Sequence, residues 1–216
     1  VNINIRLIEK KDAPALIEVA REAFWNLYRP GAEEHLVVHQ MLHHADWVRD
    51  VSFLIEVDNA IVGAVFYSKA TVELLHGEPL ATLAMGPLCI LPKLHRQGMG
   101  RRLMEHSLAK IKALGYPLIV TLGYDYHYAP YGFVSAKKYG IYLEEGIYYK
   151  GLLALDFTQN AGKSYAGKVI LSDVFAVDSD ALLAFERQFP AKEKAVLPSQ
   201  ARFAQAVVAI DEAEYE

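Results

Sequence analysis

The stretch Leu91-Pro92-Lys93-Leu94-His95-Arg96-Gln97-Gly98-Met99-Gly100-Arg101-Arg102 constrains this chain more than any other. It follows an apolar run, Ala81 to Leu91, and opens a segment in which Leu103, Met104, Leu108, Ile111 and Leu114 recur at helical spacing. Arg101, Arg102, Lys110 and Lys112 lie outside that stripe. A loop that feeds a helix leaves the first N–H groups of the helix without backbone partners, at the positive end of its dipole. Gly98 and Gly100 carry no side chain to block close approach, and Arg96, Arg101 and Arg102 add positive charge. Such a turn suits an anion, a diphosphate above all. The same residues could also simply start a helix with a solvated basic face. The pattern lacks the G-K-[ST] of a P-loop, and Leu103 stands where a dinucleotide fingerprint needs its third glycine.

The elements around this loop form a definite order. Ile3 to Ile8 reads as a short strand, and Asp12 stands where a helix cap belongs, ahead of Pro14. The apolar spacing from Leu16 to Leu27 predicts an amphipathic helix ending near Arg29-Pro30-Gly31, and a second helix follows from Ala32 to about Trp47. Ser52 to Glu56, Ile61 to Ser68 with its continuation Thr71 to Leu75, and Ala81 to Leu91 predict an antiparallel meander, with turns at Asp58-Asn59 and His76 to Pro79. After the helix from Gly98 to Leu114, capped by Gly115, the apolar run Pro117 to Leu122 suits a central strand parallel to the one before the loop. Further strands are expected near Tyr139 to Leu143 and Tyr149 to Phe157. Helical patterns run from Asp180 to Gln188 and from Ser199 to Ile210. The expected division is a mixed α/β domain over 1–157 and a C-terminal extension over 158–216, packed on the same domain.

His95-Arg96-Gln97-Gly98-Met99-Gly100 resembles the pyrophosphate-binding signature [QR]-x-x-G-x-[GA] of the GNAT superfamily of acetyl-CoA-dependent N-acyltransferases, and Met85 to Pro92 looks like that family's fourth strand. The resemblance implies a central mixed sheet, largely antiparallel, with a parallel pair at splayed fourth and fifth strands and helices on either side. It implies acetyl-CoA as co-substrate, held by backbone groups of Leu88, Cys89 and Ile90 and by the loop residues His95, Arg96, Gln97, Gly98, Met99, Gly100 and Arg101. His95 occupies the place usually held by Gln or Arg, with Arg96 and Gln97 beside it. Gly86-Pro87 marks a plausible distortion of the strand, since proline donates no ladder hydrogen bond.

Many members of that family protonate the departing thiolate with a tyrosine four residues before a Gly-Phe pair, and Tyr128 stands at that offset from Gly132-Phe133. The chemistry suits a phenol, which keeps its proton at neutral pH. Tyr124, Tyr126 and Tyr131 read as packing. In the resembled fold the first two helices overhang the acceptor site, which brings Trp25, Tyr28, His39 and Trp47 into consideration. Glu73, Asp125, His127 and a water relay are the candidates for general base. No nucleophile-plus-base pair is visible, so direct attack by an amine in a ternary complex is expected rather than a covalent intermediate. The acceptor is a small-molecule or peptide amine. The alternative is a non-catalytic acyl-CoA-binding or sensing module.

Composition narrows the remaining classes. The 216 residues carry 22% charged residues and a formal net charge of -4, so no basic surplus draws the chain to nucleic acid or an anionic membrane. Its single cysteine, Cys89, lies in an apolar run, which excludes an internal disulfide and reads as a small buried hydrophobe. No apolar stretch is long enough to cross a bilayer, and a cytoplasmic location is expected, with a homodimer possible. His35, His39 and His43 recur at helical spacing beside His44, but without a third ligand pattern no metal is expected.

Overall fold

The computed structural model describes residues 2–159 and 165–215. Strand β1 (Ile3–Leu7) leads through a 3-10 turn at Lys10–Asp12 into α1 (Ala13–Phe24), and α2 (Glu34–Met41) follows. Strands β2 (Phe53–Val57), β3 (Ala60–Leu74) and β4 (Leu80–Ile90) form the expected meander, each antiparallel to its predecessor. Helix α3 (Met99–Ala113) crosses to β5 (Leu118–Leu122), which pairs with β4 in parallel. The chain continues through the single turn α4 (Asp125–Tyr128), β6 (Val134–Ser135), β7 (Ile141–Tyr142), β8 (Leu152–Asp156) and β9 (Gly167–Ile170). Helices α5 (Ser179–Glu186) and α6 (Pro198–Val208) end it. The sheet order β1-β2-β3-β4-β5-β8-β6, with β9 bridging β3 and β7, is a mixed α/β fold, mostly antiparallel, with β4–β5 parallel at its centre and β7–β9 parallel at its margin.

Two apolar layers cover this sheet. Helices α1 and α2 place Leu16, Val19, Ala20, Val38 and Met41 against Leu54, Ala64, Phe66 and Cys89. Helix α3 places Met99, Leu103, Met104 and Ile111 against Phe53, Val65, Tyr67 and Met85. Full burial of such side chains stabilises by about 1.5–3 kcal/mol each, so all three helices are fixed by their stripes rather than by intrinsic propensity.

Several expectations need correction. Asp12 holds the N-cap position of α1, but its side chain makes no capping bond there. It is buried, takes a bidentate contact from Arg6 at 2.8 Å and accepts the Glu9 N–H at 2.8 Å, closing the preceding 3-10 turn. Helix α1 stops at Phe24, short of Leu27, and α2 stops at Met41 rather than near Trp47. There the Asp46 N–H turns back to His44 Nδ1 (3.0 Å), and Trp47 leaves the helix to bridge Ser68 on β3. The strands expected at Tyr139 to Leu143 and Tyr149 to Phe157 shorten to β7 and β8, and β6 and β9 were not anticipated. Strand β9 lies within the stretch read as an extension, yet it pairs with β3. Residues 160–164 of that stretch fall outside the described ones.

Helix α5 is held by a buried charge cluster. Glu186 meets the guanidinium of Arg21 on α1 and accepts from His35 Nε2 on α2 at 2.8 Å. Arg21 also donates to Pro190 O (3.0 Å) and lies 4.5 Å from the Trp25 ring centroid. Burial holds His35 below the usual imidazole range despite its acidic partner, so the ring is neutral and donates from Nε2. The Glu186 carboxyl lies below its ordinary value although its own burial works the other way, because Arg21 and His35 favour the charged form. Breaking such a cluster strands a buried cation. Glu186→Ala is expected to cost about 3–5 kcal/mol in urea unfolding, and Arg21→Met in the same background to restore part of the loss.

Candidate active site

Strands β4 and β5 separate abruptly. Their register pairs Leu83 with Ile119, Ala84 with Val120 and Met85 with Thr121, and ends there. Strand β4 nevertheless runs on to Ile90, paired only with β3. At the parting, Gly86 and Pro87 bulge opposite Val65–Tyr67, where the β3–β4 register shifts. Gly86 takes φ +139°, which a residue with a side chain rarely adopts. Beyond the bulge the alternation of an antiparallel ladder decides which backbone groups are free. Leu91 donates to Val62 O (2.8 Å), so Leu91 and Cys89 turn toward β3, and Leu88 and Ile90 turn toward the gap. Of the three residues expected to line the gap with backbone groups, Cys89 therefore does not. Its side chain is buried under α1 and α2, where desolvation pushes the thiol up to about 12.

The loop after β4 has the expected shape. Gly98 precedes α3 in the left-handed conformation (φ +80°) with open space where a side chain would stand. A Cβ on Gly100 would meet only Ile90, at 3.7 Å. The first bond of the helix runs from Arg102 N to Gly98 O (3.0 Å), so the N–H groups of Met99, Gly100 and Arg101 precede the helical ladder. The side chains divide unevenly. His95 Nε2 bonds to Ile90 O (2.8 Å) and Gln97 Nε2 to Lys93 O (2.9 Å), so both brace the loop. Arg101 pairs with Glu105 (2.7 Å), whereas Arg96 and Arg102 are exposed with no ion pair among the described residues. This cradle fits a diphosphate: main-chain donors, room for close approach, and free cations at its rim.

Tyr128 stands where the strands part. Its phenol lies beside the side chain of Thr121, the last paired residue of β5, whose hydroxyl donates to Met85 O at 3.0 Å. Burial raises the phenol above its ordinary range. The ring fills the space over Gly123, where a Cβ would lie 2.6 Å from Tyr128 Cε2. Across the gap Tyr28, in the α1–α2 connection, lies within electrostatic reach of Tyr128 and of Glu34. Glu34 begins α2, half-buried, and its field also reaches Cys89 on β4. Desolvation lifts this carboxyl to about 7.

Other expected residues scatter. Trp25 donates to Glu193 O (2.8 Å), His39 packs on Phe185, and Trp47 is core, so only Tyr28 of that group joins Tyr128. Glu73 pairs opposite Lys168, six residues along β3 from Tyr67 and thus about 20 Å away. Asp125 is exposed and bonds to the Tyr126 N–H (2.7 Å), and His127 leans on Tyr126 with its imidazole lowered by burial. His35 and His43 face different partners, Glu186 and the His39 carbonyl. His44, Asp46 and Asp173 cluster, yet both His44 nitrogens already have partners. The sequence reading passed over Glu34, whose carboxyl is raised by burial, and Phe203, which stacks on Tyr28 at 4.1 Å.

A mixed sheet that parts beside a main-chain anion cradle, with a phenol at the parting, is the architecture of the acyl-CoA acetyltransferase class. Residues 19–129, just over half the chain, match the model of the acetyltransferase (GNAT) family, and the chain belongs to that family. It is similar to the uncharacterized N-acetyltransferase YhbS of Escherichia coli K12, with 31% identity over 84 residues, 39% of this chain and 48% of the relative. The match thus spans about half the length of that relative. Uncharacterized N-acetyltransferase YjhQ from the same organism is 24% identical over 132 residues, 61% of this chain and 70% of its own. The crystal structure of E. coli YhbS in complex with CoA superposes with a TM-score of 0.72 at 23% identity, covering 82% of this chain and 93% of that one. A GNAT family acetyltransferase from Brucella melitensis in complex with acetyl-CoA gives 0.64 at 20% identity, covering 81% and 98%. These structures share the fold.

The packing of Tyr128 on Gly123 yields a direct test. Gly123→Ala forces the ring aside and is expected to lower stability by about 1–3 kcal/mol in chemical denaturation. Adding Tyr128→Ala should relieve most of that overpacking.

Proposed function

We propose that this protein is an N-acetyltransferase that carries an acetyl group from acetyl-CoA to a primary amine by direct attack in a ternary complex. The observation that carries the reading is the Tyr128 side chain at Thr121, where β4 and β5 cease to pair. Leu88 and Ile90, together with the start of α3, would hold the cofactor: strand-edge groups for its pantetheine arm and helix N–H groups for its diphosphate. Acetyl-CoA supplies the acyl group as a thioester. Tyr128 keeps its proton because its surroundings are dry, and the same dryness raises the basicity of a thiolate released there. The phenol is then a competent acid for that thiolate.

Glu34 is the proposed general base. A carboxyl at about 7 is half ionised near neutrality and accepts a proton far more readily than an ordinary glutamate. It approaches from the α2 side, facing Tyr28, while Tyr128 approaches from the α4 side. An amine between them can lose a proton to one and see its leaving group protonated by the other.

In a thiol-release assay with acetyl-CoA and a panel of amines, Tyr128→Phe is expected to lower kcat by about 10²–10⁴ with the acetyl-CoA Kd unchanged. Turnover within a factor of two of wild type would remove the phenol from the chemistry. Binding of acetyl-CoA by the wild type without turnover of any amine would leave only an acyl-CoA-binding module.

The pH dependence isolates Glu34. The base must be ionised, so kcat/KM should rise with pH through about 7, and Glu34→Gln should flatten that limb. Stability runs the other way. A carboxyl raised above its unfolded value of 4.5 leaves stability intact below that value and erodes it as pH climbs to about 7. Glu34→Gln should therefore melt higher than wild type at pH 8 and equally at pH 4.

A further inference from the structure

Helix α6 lies beyond the stretch matched by the family model, yet it is tied to both sides of the gap. On the α1–α2 side its anchor is Asn26, which stands in the left-handed conformation (φ +58°) two residues before Tyr28. The polar groups of Asn26 are all committed. Its N–H donates to Gly31 O (2.8 Å), and its side-chain oxygen accepts the N–H groups of Gly31 (2.8 Å) and Ala195 (3.1 Å). Its Nδ2 donates to Glu193 O (3.2 Å), and its carbonyl accepts from Gln200 Nε2 (3.0 Å) on α6. Trp25 Nε1 adds a second bond to Glu193 O (2.8 Å). The loop that carries Tyr28 is therefore shaped by the segment from Glu193 to Gln200 as much as by its own residues.

On the other side α6 reaches Tyr128 by two routes. Past the helix end the Lys150 N–H donates to Ala209 O (2.8 Å) and the Asp211 N–H to Tyr148 O (2.7 Å), while the Gly123 N–H donates to Gly151 O (2.9 Å). Gly123 is the residue over which the Tyr128 ring packs. The second route is aromatic. Phe203, in the middle of α6, stacks on Tyr28 at 4.1 Å and meets Tyr124 edge-on at 6.4 Å. Tyr124 precedes α4 and accepts the His127 N–H (3.1 Å) at its carbonyl. Its ring leads through that of His127 (6.0 Å) to Tyr128 (6.3 Å). Phe203 thus bridges the Tyr28 loop and the residue that opens the Tyr128 turn.

We propose that Phe203 is a positioning residue for the transfer: it fixes the spacing between the Tyr28 loop, after which Glu34 begins α2, and the turn that holds Tyr128. The inference rests on the transferase reading and adds to it a residue from outside the family-matched stretch. Phe203 touches no reacting atom. It acts because the base and the acid stand on separate elements, α2 and α4, whose separation has to be held for an amine to meet both. A misplacement of about 1 Å can cost roughly 10²-fold in rate.

Thiol release at saturating acetyl-CoA, with lysine, spermidine, tyramine and the dipeptide Ala-Gly as acceptors, tests this. With the amine that the wild type uses best, Phe203→Ala should lower kcat/KM about ten- to a hundredfold while the acetyl-CoA Kd is unchanged. Phe203→Tyr keeps the stacking ring and should stay within about threefold of wild type. Ala201→Gly weakens the same helix from its exposed face without touching the stack, so it controls for stability alone. It too should stay within about threefold. Should Phe203→Ala fail to fold by thermal melt, Phe203→Leu replaces it, keeping the apolar volume without the ring, with a loss of at least about fivefold expected. Three outcomes would overturn the inference and leave the transferase standing: a loss no greater than that of Ala201→Gly, a Phe203→Tyr protein as slow as Phe203→Ala, or a loss matched by weaker acetyl-CoA binding. No turnover of any amine by the wild type would remove the transferase reading, and the inference with it.

Discussion

The loss of pairing between β4 and β5 after Met85 and Thr121 is the constraint on which the rest of this molecule turns. A parallel pair in the middle of a sheet normally continues until one strand ends, because each unpaired backbone group left in a dry interior carries a desolvation cost of about 1–3 kcal/mol. Here β4 continues for five residues without a partner on one side. The free groups of Leu88 and Ile90 lie beside a helix start with its own unpaired donors. His95 answers one of them by bonding to the Ile90 carbonyl. The others form a polar edge in an apolar setting, suited to a ligand that is itself an extended amide chain ending in a diphosphate.

Much of this was legible in the sequence because it depends on local rules. Glycines before a helix, an apolar strand ahead of them and a basic rim report a main-chain cradle, and Gly98 has the left-handed backbone that its residue type permits. The Gly132-Phe133 offset, through the family resemblance, singled out Tyr128, and the structure places that residue where β4 and β5 part. What escaped depends on distant packing. Glu34 looks like an ordinary surface glutamate at a helix start, and only the approach of the sheet and Tyr28 dries it. The pairing of Glu186 with Arg21 and His35 joins opposite ends of the chain, so no window of sequence contains it. Asp12 misled because a residue type that caps helices also serves a buried arginine, and Arg6 claimed it.

The two ends of the chain cooperate at the site. The α1–α2 connection and the start of α2 supply Tyr28 and Glu34, and the last helices hold those elements through the buried charge cluster, Gln200 and Phe203. A cluster of this kind contributes little net energy compared with a well-packed apolar substitute, but it tolerates few alternative alignments. Its value here is geometric, since it sets where the α1–α2 connection sits relative to the gap.

The absence of a side chain at position 123 ties two residues into one unit of inheritance. The phenol ring occupies the volume that any other amino acid there would claim, so position 123 cannot gain a side chain while the ring stays in place. A descendant that gained even a methyl group at 123 would have to move the Tyr128 ring first. The glycine is therefore tied to the placement of that ring, and a reader of related chains can look for the pair together.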